Sequence, residues 1–414
     1  MSASRPIVIV TGANGGIGLG ICKRLLSQLC SKLPSDADPQ PFAQSSVGDD
    51  SSSPYASCNG VTLIMACRNM KRAEAAKLDV VRYLDAHVAQ MKTRPDYDGH
   101  AEQFKKNVDI VVMRLDLGDL SSVFSFADEM KSKYRYVSHL ICNAGFASFA
   151  GIFWPSAIKQ ILLDPLNAVT APTFYLQHVG EESVDGLGWV WQCNFFGHFI
   201  LFRALEPLLF ESPSTSRVIW MSSLEASPTH YSPDDWQCMT TPHSYESTKY
   251  EIDLVGTFLD RLALQDSTYQ RPRHFIAQPG VCSTSISDAL VGPALNVVKL
   301  LLFYFARICG SPHHTITPLK AAISVVHIAL APLFFLTFLD NPRASTGSSG
   351  LQEKRLPVRI GSETDRWGAE HVGLTPVEEW KRFEMEAEYL LAKCNALYEK
   401  VKDARTSVEG DQTS

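Results

Sequence analysis

The chain has 414 residues, 45% hydrophobic and 20% charged, with a formal net charge of −6. That length suffices for a sizeable core, and α/β domains with insertions reach such a size. A mildly acidic chain without a dense basic patch excludes nucleic acid as an expected partner. Ten cysteines scattered singly give neither a zinc site nor a disulfide framework.

Residues 1–6 lead directly into a strand without the pattern of a signal peptide, so the folded body is expected to face a reducing compartment, the cytosol. Ile7-Val8-Ile9-Val10 is a short β-branched run, as in a buried parallel strand. It ends in Thr11-Gly12-Ala13-Asn14-Gly15-Gly16-Ile17-Gly18, and residues 19–29 then carry a helical pattern. A strand, a glycine turn and a helix are the parts of a dinucleotide site. Glycines let the backbone approach a pyrophosphate, and the helix start supplies unpaired amides and a favourable dipole. The spacing differs from G-x-G-x-x-G.

Residues 31–60, crowded with Ser, Asp, Pro and Gly, are expected to be a disordered surface insertion without chemistry. A second strand over 61–67 ends at Arg68, with Lys71 and Arg72 close behind. Where an NAD enzyme sets an acid against the ribose, a cation suits the extra phosphate of NADP. A charged helical stretch follows over 71–106, then a third strand over 109–115 that ends at Asp116. That carboxylate either receives the adenine amino group or caps the helix beginning near Leu120. A fourth strand over 137–142 runs into Asn143-Ala144-Gly145, whose small residues would let the backbone pass beneath a cofactor.

Residues 146–188, rich in aromatics and prolines, read as an insertion that helps wall a substrate cleft. An apolar helix over 189–210 carries Asn194, either a structural amide or the mark of a kink that holds a water. The fifth strand, 217–221, ends in Ser222-Ser223 at the sheet mouth, where open α/β folds bind ligands. A polar loop leads to Tyr245-Glu246-Ser247-Thr248-Lys249 on a helix over 243–264. Residues four apart share a helix face, so phenol and ammonium can enter one cleft. The nearby charge is expected to pull the phenol pKa, ~10 when free, toward the working range. A sixth strand over 274–277 precedes Pro279-Gly280 and Thr284. Strands alternating with helices predict an α/β fold with a doubly wound parallel sheet.

Two apolar segments follow, 294–308 and 321–339, the second long enough to cross a bilayer. Because residues 356–360 form a last strand that must rejoin the sheet, a single crossing is excluded. The segments are expected either to attach to a membrane surface or to form core and substrate lid. Thr375-Pro376-Val377-Glu378 is expected to open a helix to about residue 401, with 402–414 a frayed tail. His313-His314 has no third ligand at a suitable spacing, so no metal is expected.

This ordered set resembles the short-chain dehydrogenase/reductase superfamily over roughly residues 5–285. It comprises the 11–18 turn, Arg68, Asp116, Asn143-Ala144-Gly145, Asn194, Ser223, Tyr245 with Lys249, Pro279-Gly280 and Thr284. One departure is the long spacing from Ser223 to Tyr245, filled by the loop 225–242, which leaves Ser222 as an alternative to Ser223. More narrowly, Ala66-Cys67-Arg68-Asn69, Cys193-Asn194-Phe195-Phe196-Gly197-His198-Phe199 and Trp220-Met221-Ser222-Ser223 resemble the fungal 3-keto sterol reductases of ergosterol synthesis.

The resemblance implies hydride transfer from NADP(H) to the ketone of a sterol, the 3-keto group of a 4-methyl intermediate becoming a 3β-hydroxyl. Tyr245 would donate the proton, Ser223 orient the carbonyl, Lys249 bind the nicotinamide ribose, and Asn194 hold a water. The turn residues Thr11, Gly12, Asn14, Gly16, Ile17 and Gly18, with Arg68, Asp116, Asn143, Ala144, Gly145, Pro279, Gly280 and Thr284, would bind the cofactor. It also implies work at a membrane surface, on the cytosolic face of the endoplasmic reticulum or on lipid droplets, beside other sterol-demethylation enzymes. The rival readings are a reductase of retinoids, other steroids or long-chain ketones, and a non-catalytic scaffold on the same fold.

Overall fold

A computed structural model describes residues 5–40, 42, 57–265, 271–283, 288–336 and 356–412. Its strands are β1 (Ile7–Thr11), β2 (Val61–Cys67), β3 (Val108–Arg114), β4 (His139–Cys142), β5 (Phe149–Ile152), β6 (Tyr175–Gln177), β7 (Arg217–Met221), β8 (Arg273–Gln278), β9 (Val358–Thr364) and β10 (Glu370–Pro376). The helices up to the catalytic segment are α1 (Gly16–Leu29), α2 (Met70–Lys92), α3 (His100–Lys106), α4 (Leu120–Lys133), α5 (Trp154–Leu163), α6 (Pro165–Thr170), α7 (Trp189–Trp191), α8 (Gly197–Phe210) and α9 (Ser244–Gln265). After it come α10 (Asp288–Ile308), α11 (Pro318–Ala321), α12 (Ile323–Leu330) and α13 (Trp380–Gln412).

The eight-stranded sheet has the order β10-β9-β8-β7-β4-β1-β2-β3 and is parallel except for the β9–β10 pair. Every residue of β1 and β2 is buried, as expected of parallel strands covered on both faces. Alternate residues of these strands feed two cores. Ile7, Ile9, Ile64 and Ala66 pack under α4, α8, α9 and α13. Val8, Val10, Leu63 and Met65 pack under α1, α2, α3 and α12. The chain leaves β1 in one direction and β4 in the other, so a crevice opens beyond their carboxyl ends, where such folds bind ligands.

Three expectations are corrected, one strand is added and one open alternative is divided. The strand β10 was not foreseen. Thr375 and Pro376 end it rather than opening a helix, and α13 starts at Trp380 and runs to Gln412, through most of the expected frayed tail. The described start of the 31–60 insertion is built in, since Asp36 is buried and paired with Arg24 of α1. The apolar segment 321–339 divides from 294–308 in role. Its described residues form α12 and a short turn whose Val325, Val326, Ile328 and Phe335 are core, whereas α10 lies at the surface. Among the described residues no helix is long and apolar enough to cross a membrane.

The Arg24 pair holds this side of the molecule together. Nε and Nη2 donate to Asp36 at 2.5 and 2.8 Å, while Nη1 donates to Leu319 O and Glu370 Oε1, both at 3.1 Å. Replacing Arg24 by Ala would strand the buried Asp36 charge, at a cost of about 3–5 kcal/mol. Urea unfolding of Arg24→Ala is expected to read a loss of that size. A loss below about 1 kcal/mol would show the pair to be dispensable.

Candidate active site

Two cavities meet beyond the carboxyl ends of β1, β4, β7 and β8. The first, of about 740 Å³, is lined by the glycine turn, Arg68, Arg72, Asp116 and the 143–145 backbone. The second, of about 320 Å³, holds Ser223, Tyr245, Pro279 and Gly280 among largely apolar walls from residues 147–175 and α10. Ile17 borders both.

The first cavity fits a dinucleotide. Gly12 has φ +65°, and a Cβ on Gly18 would lie 2.4 Å from Gly12 O, so turn and helix close up only without side chains. A Cβ on Gly15 would meet nothing within 4 Å, which leaves the outer face of the turn open. The α1 start has no capping side chain, so its first amides are available to a pyrophosphate. Arg68 and Arg72 are exposed on the wall, whereas Lys71 is not part of it. Asp116 is free of the capping role because Asp119 caps α4, accepting from Ser121 N at 3.0 Å and Ser122 N at 3.4 Å.

Thr11, Asn143 and Asn194 act through the backbone. The Thr11 hydroxyl accepts from Asn143 N and Ala144 N, both at 2.9 Å, and meets His198 Nε2 at 2.8 Å. Asn143 Nδ2 donates to Thr11 O at 2.9 Å. Asn194 sits in a π-turn, Gln192–Phe196, the kink expected from its polar side chain. Its Oδ1 accepts from Phe146 N at 2.9 Å and its Nδ2 donates to Phe146 O at 2.7 Å, so the amide also ties helix to loop. Thr284 lies outside the described residues.

The serine pair is separated by the strand end. Ser222 is buried, its hydroxyl 3.4 Å from Lys249 O, whereas Ser223 lines the second cavity with its hydroxyl near enough to the Tyr245 phenol to favour its ionised form. Ser223 is therefore the hydroxyl that a ligand meets. Lys249 is buried, its Nζ donating to Met221 O at 2.7 Å and lying 5.7 Å from the Tyr245 ring centroid. Burial pushes this ammonium down to about 8, against the opposing pull of Asp253 and Cys142.

The expected lowering of the tyrosine is not found in this arrangement. Burial pushes the Tyr245 phenol above its ordinary value, Glu225 and Glu246 push it further, and only the Ser223 hydroxyl opposes them. The reason is that the buried ammonium turns to the nearest carbonyl. At neutral pH Tyr245 holds its proton firmly, which suits an acid.

Sequence reasoning missed Glu225. This half-buried residue of the 225–242 loop lines the second cavity, and burial followed by Glu246 raises its carboxyl to about 8. The shift favours its protonated form near neutrality. Nothing in the loop's composition marked it. Its position two residues after Ser223 was the only available signal.

No family model matches the chain. The 3-keto-steroid reductase of Schizosaccharomyces pombe is 29% identical over 374 residues, 90% of this chain and 91% of that protein. The 3-keto-steroid reductase of Eremothecium gossypii is 34% identical over 277 residues, 66% of this chain and 72% of that protein. Among solved structures, salutaridine reductase from Papaver somniferum matches with a TM-score of 0.46 and 17% identity, covering 79% of this chain and 96% of that one.

The open wall at Arg68 and Arg72 yields a cofactor test. Arg68→Ala/Arg72→Ala removes the cations available to a 2′-phosphate, each charge-assisted contact being worth about 1.5–3 kcal/mol. NADPH affinity, read by fluorescence titration, is expected to fall roughly 10²- to 10⁴-fold with NADH affinity unchanged. An equal loss for both cofactors would remove the arginines from phosphate selection.

Proposed function

The chain belongs to the 3-keto-steroid reductases of the short-chain dehydrogenase/reductase superfamily, and on that premise we propose that it reduces the 3-keto group of a 4-methyl sterol to the 3β-hydroxyl with NADPH. The observation that carries the proposal is the meeting of Ser223 and Tyr245 at the polar end of an otherwise apolar cavity, beside the dinucleotide groove. NADPH supplies the hydride when bound. Ser223 orients the carbonyl oxygen, and Tyr245 gives its proton to the oxygen as charge develops there. Lys249 sets the ribose side of the site and provides the local positive charge. Asn194 fixes the Phe146 backbone under the cofactor. Phe149, Phe174, Tyr175 and Phe303 offer rigid apolar contact to a flat ring system.

The proposal extends to where the substrate comes from. A sterol is dissolved in a bilayer, so the cavity mouth would work at a lipid surface, on the cytosolic face of the endoplasmic reticulum or a lipid droplet, beside other sterol-demethylation enzymes. Supporting this, α5 and α10 both border the cavity and turn large apolar side chains outward: Leu162 is 75% exposed, Leu163 74%, Leu301 63% and Phe305 58%. Exposed apolar surface of this extent on neighbouring elements is what an interfacial attachment requires.

Two experiments follow. With a 4α-methyl-3-keto sterol in detergent micelles, NADPH loss should match formation of the 3β-alcohol, and Tyr245→Phe should lower kcat by about 10²- to 10⁴-fold. Turnover of all-trans-retinal in preference to the sterol would replace the substrate, and tight NADPH binding without any turnover would favour the scaffold. For attachment, Leu301→Glu/Phe305→Glu should reduce co-sedimentation with phosphatidylcholine vesicles at least about tenfold, because each apolar side chain buried contributes about 1.5–3 kcal/mol. Unchanged co-sedimentation would exclude α10 from the contact.

A further inference from the structure

One buried charge in the catalytic helix has no place in the chemistry above. Asp253 follows Lys249 by one helical turn on the same face of α9. It is fully buried, neither carboxylate oxygen has a hydrogen bond of ordinary geometry among the described residues, and the Ser222 hydroxyl is the one neutral group near enough to favour its charge. Besides Lys249, the cation it faces is Arg359 of β9, buried likewise, whose Nε stands 3.5 Å from Asp253 Oδ2. The same guanidinium reaches the active site directly, Nη1 donating to Ser223 O at 2.7 Å. A buried carboxylate so poorly hydrogen-bonded is costly unless charges compensate it, and the two that face it are Arg359 and Lys249.

We propose that Asp253 and Arg359 are positioning residues for the reduction: Asp253 is the counter-charge that lets Lys249 remain an ammonium in a dry site, and Arg359 fixes that carboxylate while holding the Ser223 backbone. The inference rests on the reductase function proposed above and adds to it the device that sets the working pH range.

The groups facing this pair come from several elements. Cys142 of β4 and His198 of α8 lie close enough to Lys249 to feel its charge. Glu378, just before α13, and Tyr250 of α9 face Asp253. Burial pushes the Cys142 thiol up and the His198 imidazole down to about 3, so both are neutral at physiological pH. Burial raises Asp253 to about 6, with Arg359 opposing it, and lowers Lys249 to about 8. The sign follows. Asp253 is charged above about 6 and Lys249 below about 8, so both charges coexist only between them. Removing the negative charge leaves Lys249 with burial alone and lowers its titration further. Removing Arg359 lets Asp253 titrate higher, so the counter-charge is lost over part of the range and the Lys249 titration moves down as well.

The test uses the full chain and measures NADPH affinity by fluorescence and kcat/KM with a 3-keto steroid, from about pH 6 to about pH 10. In Asp253→Asn the alkaline loss of affinity and of kcat/KM should move down by about one pH unit, and in Arg359→Met it should move down by less. Asp253→Glu, which restores the charge, should return the limb toward the wild-type position and serves if the other variants fold poorly. Variants that lose activity while the alkaline limb stays put, or that move it up, would overturn the inference and reduce the pair to a structural bridge. Wild type that neither binds NADPH nor turns over the steroid would instead sink the reductase function, and the inference with it.

Discussion

An ammonium buried at the mouth of a parallel sheet must be given partners, and the active site is arranged around that requirement. Lys249 lies on α9 because the helix must present it and Tyr245 on one face. Its Nζ takes the carbonyl of Met221, the last residue of β7, which fixes helix to strand at the point where the serines follow. That contact sends Ser222 inward, under Lys249 O, and leaves Ser223 facing the cavity. The same burial that lowers the lysine raises the tyrosine, so one dry environment produces a labile cation and a firmly protonated acid. For ketone reduction these are the protonation states needed at the start.

The second constraint is the match of cavity to ligand. The walls come from the two parts of the chain that a minimal dinucleotide fold does not need, the 146–188 insertion and α10, which packs against α6 and β5. Added elements therefore supply the walls of the apolar cavity, while the glycine turn and strand ends line the groove that fits a dinucleotide. The division separates the consequences of mutation. Changes in the turn would affect every substrate alike, and changes in α5 or α10 would affect entry and selectivity.

Most of the sheet was legible because a buried parallel strand is written as a continuous β-branched run. The 61–67 and 217–221 strands appear with those bounds. The glycine turn, Tyr245 and Lys249 were legible for the same local reason, fixed spacing on one element. β10 was not, because Glu370-His371-Val372-Gly373 carries the mixed polarity of an edge strand. The 321–339 segment looked like a membrane candidate because hydrophobicity records the absence of water, not what replaces it. Here the described part is replaced by α1 and the sheet. Asp253 and Arg359 were invisible because their pairing joins a helix to a strand far along the chain. The direction of the Tyr245 shift depended on where the lysine's proton donors point, which no spacing encodes.

The central claim is that Tyr245 and Ser223 complete a hydride transfer onto C3 of a sterol. It is tested most directly by isotope transfer in a single turnover. The protein would be loaded with NADPH carrying deuterium at nicotinamide C4 and mixed with a 4α-methyl-3-keto sterol in vesicles. Mass spectrometry would then locate the label. One deuterium on C3 of a 3β-alcohol, formed by wild type and absent with Tyr245→Phe, is the predicted result. Label that remains on the nicotinamide while the sterol stays a ketone would contradict the account.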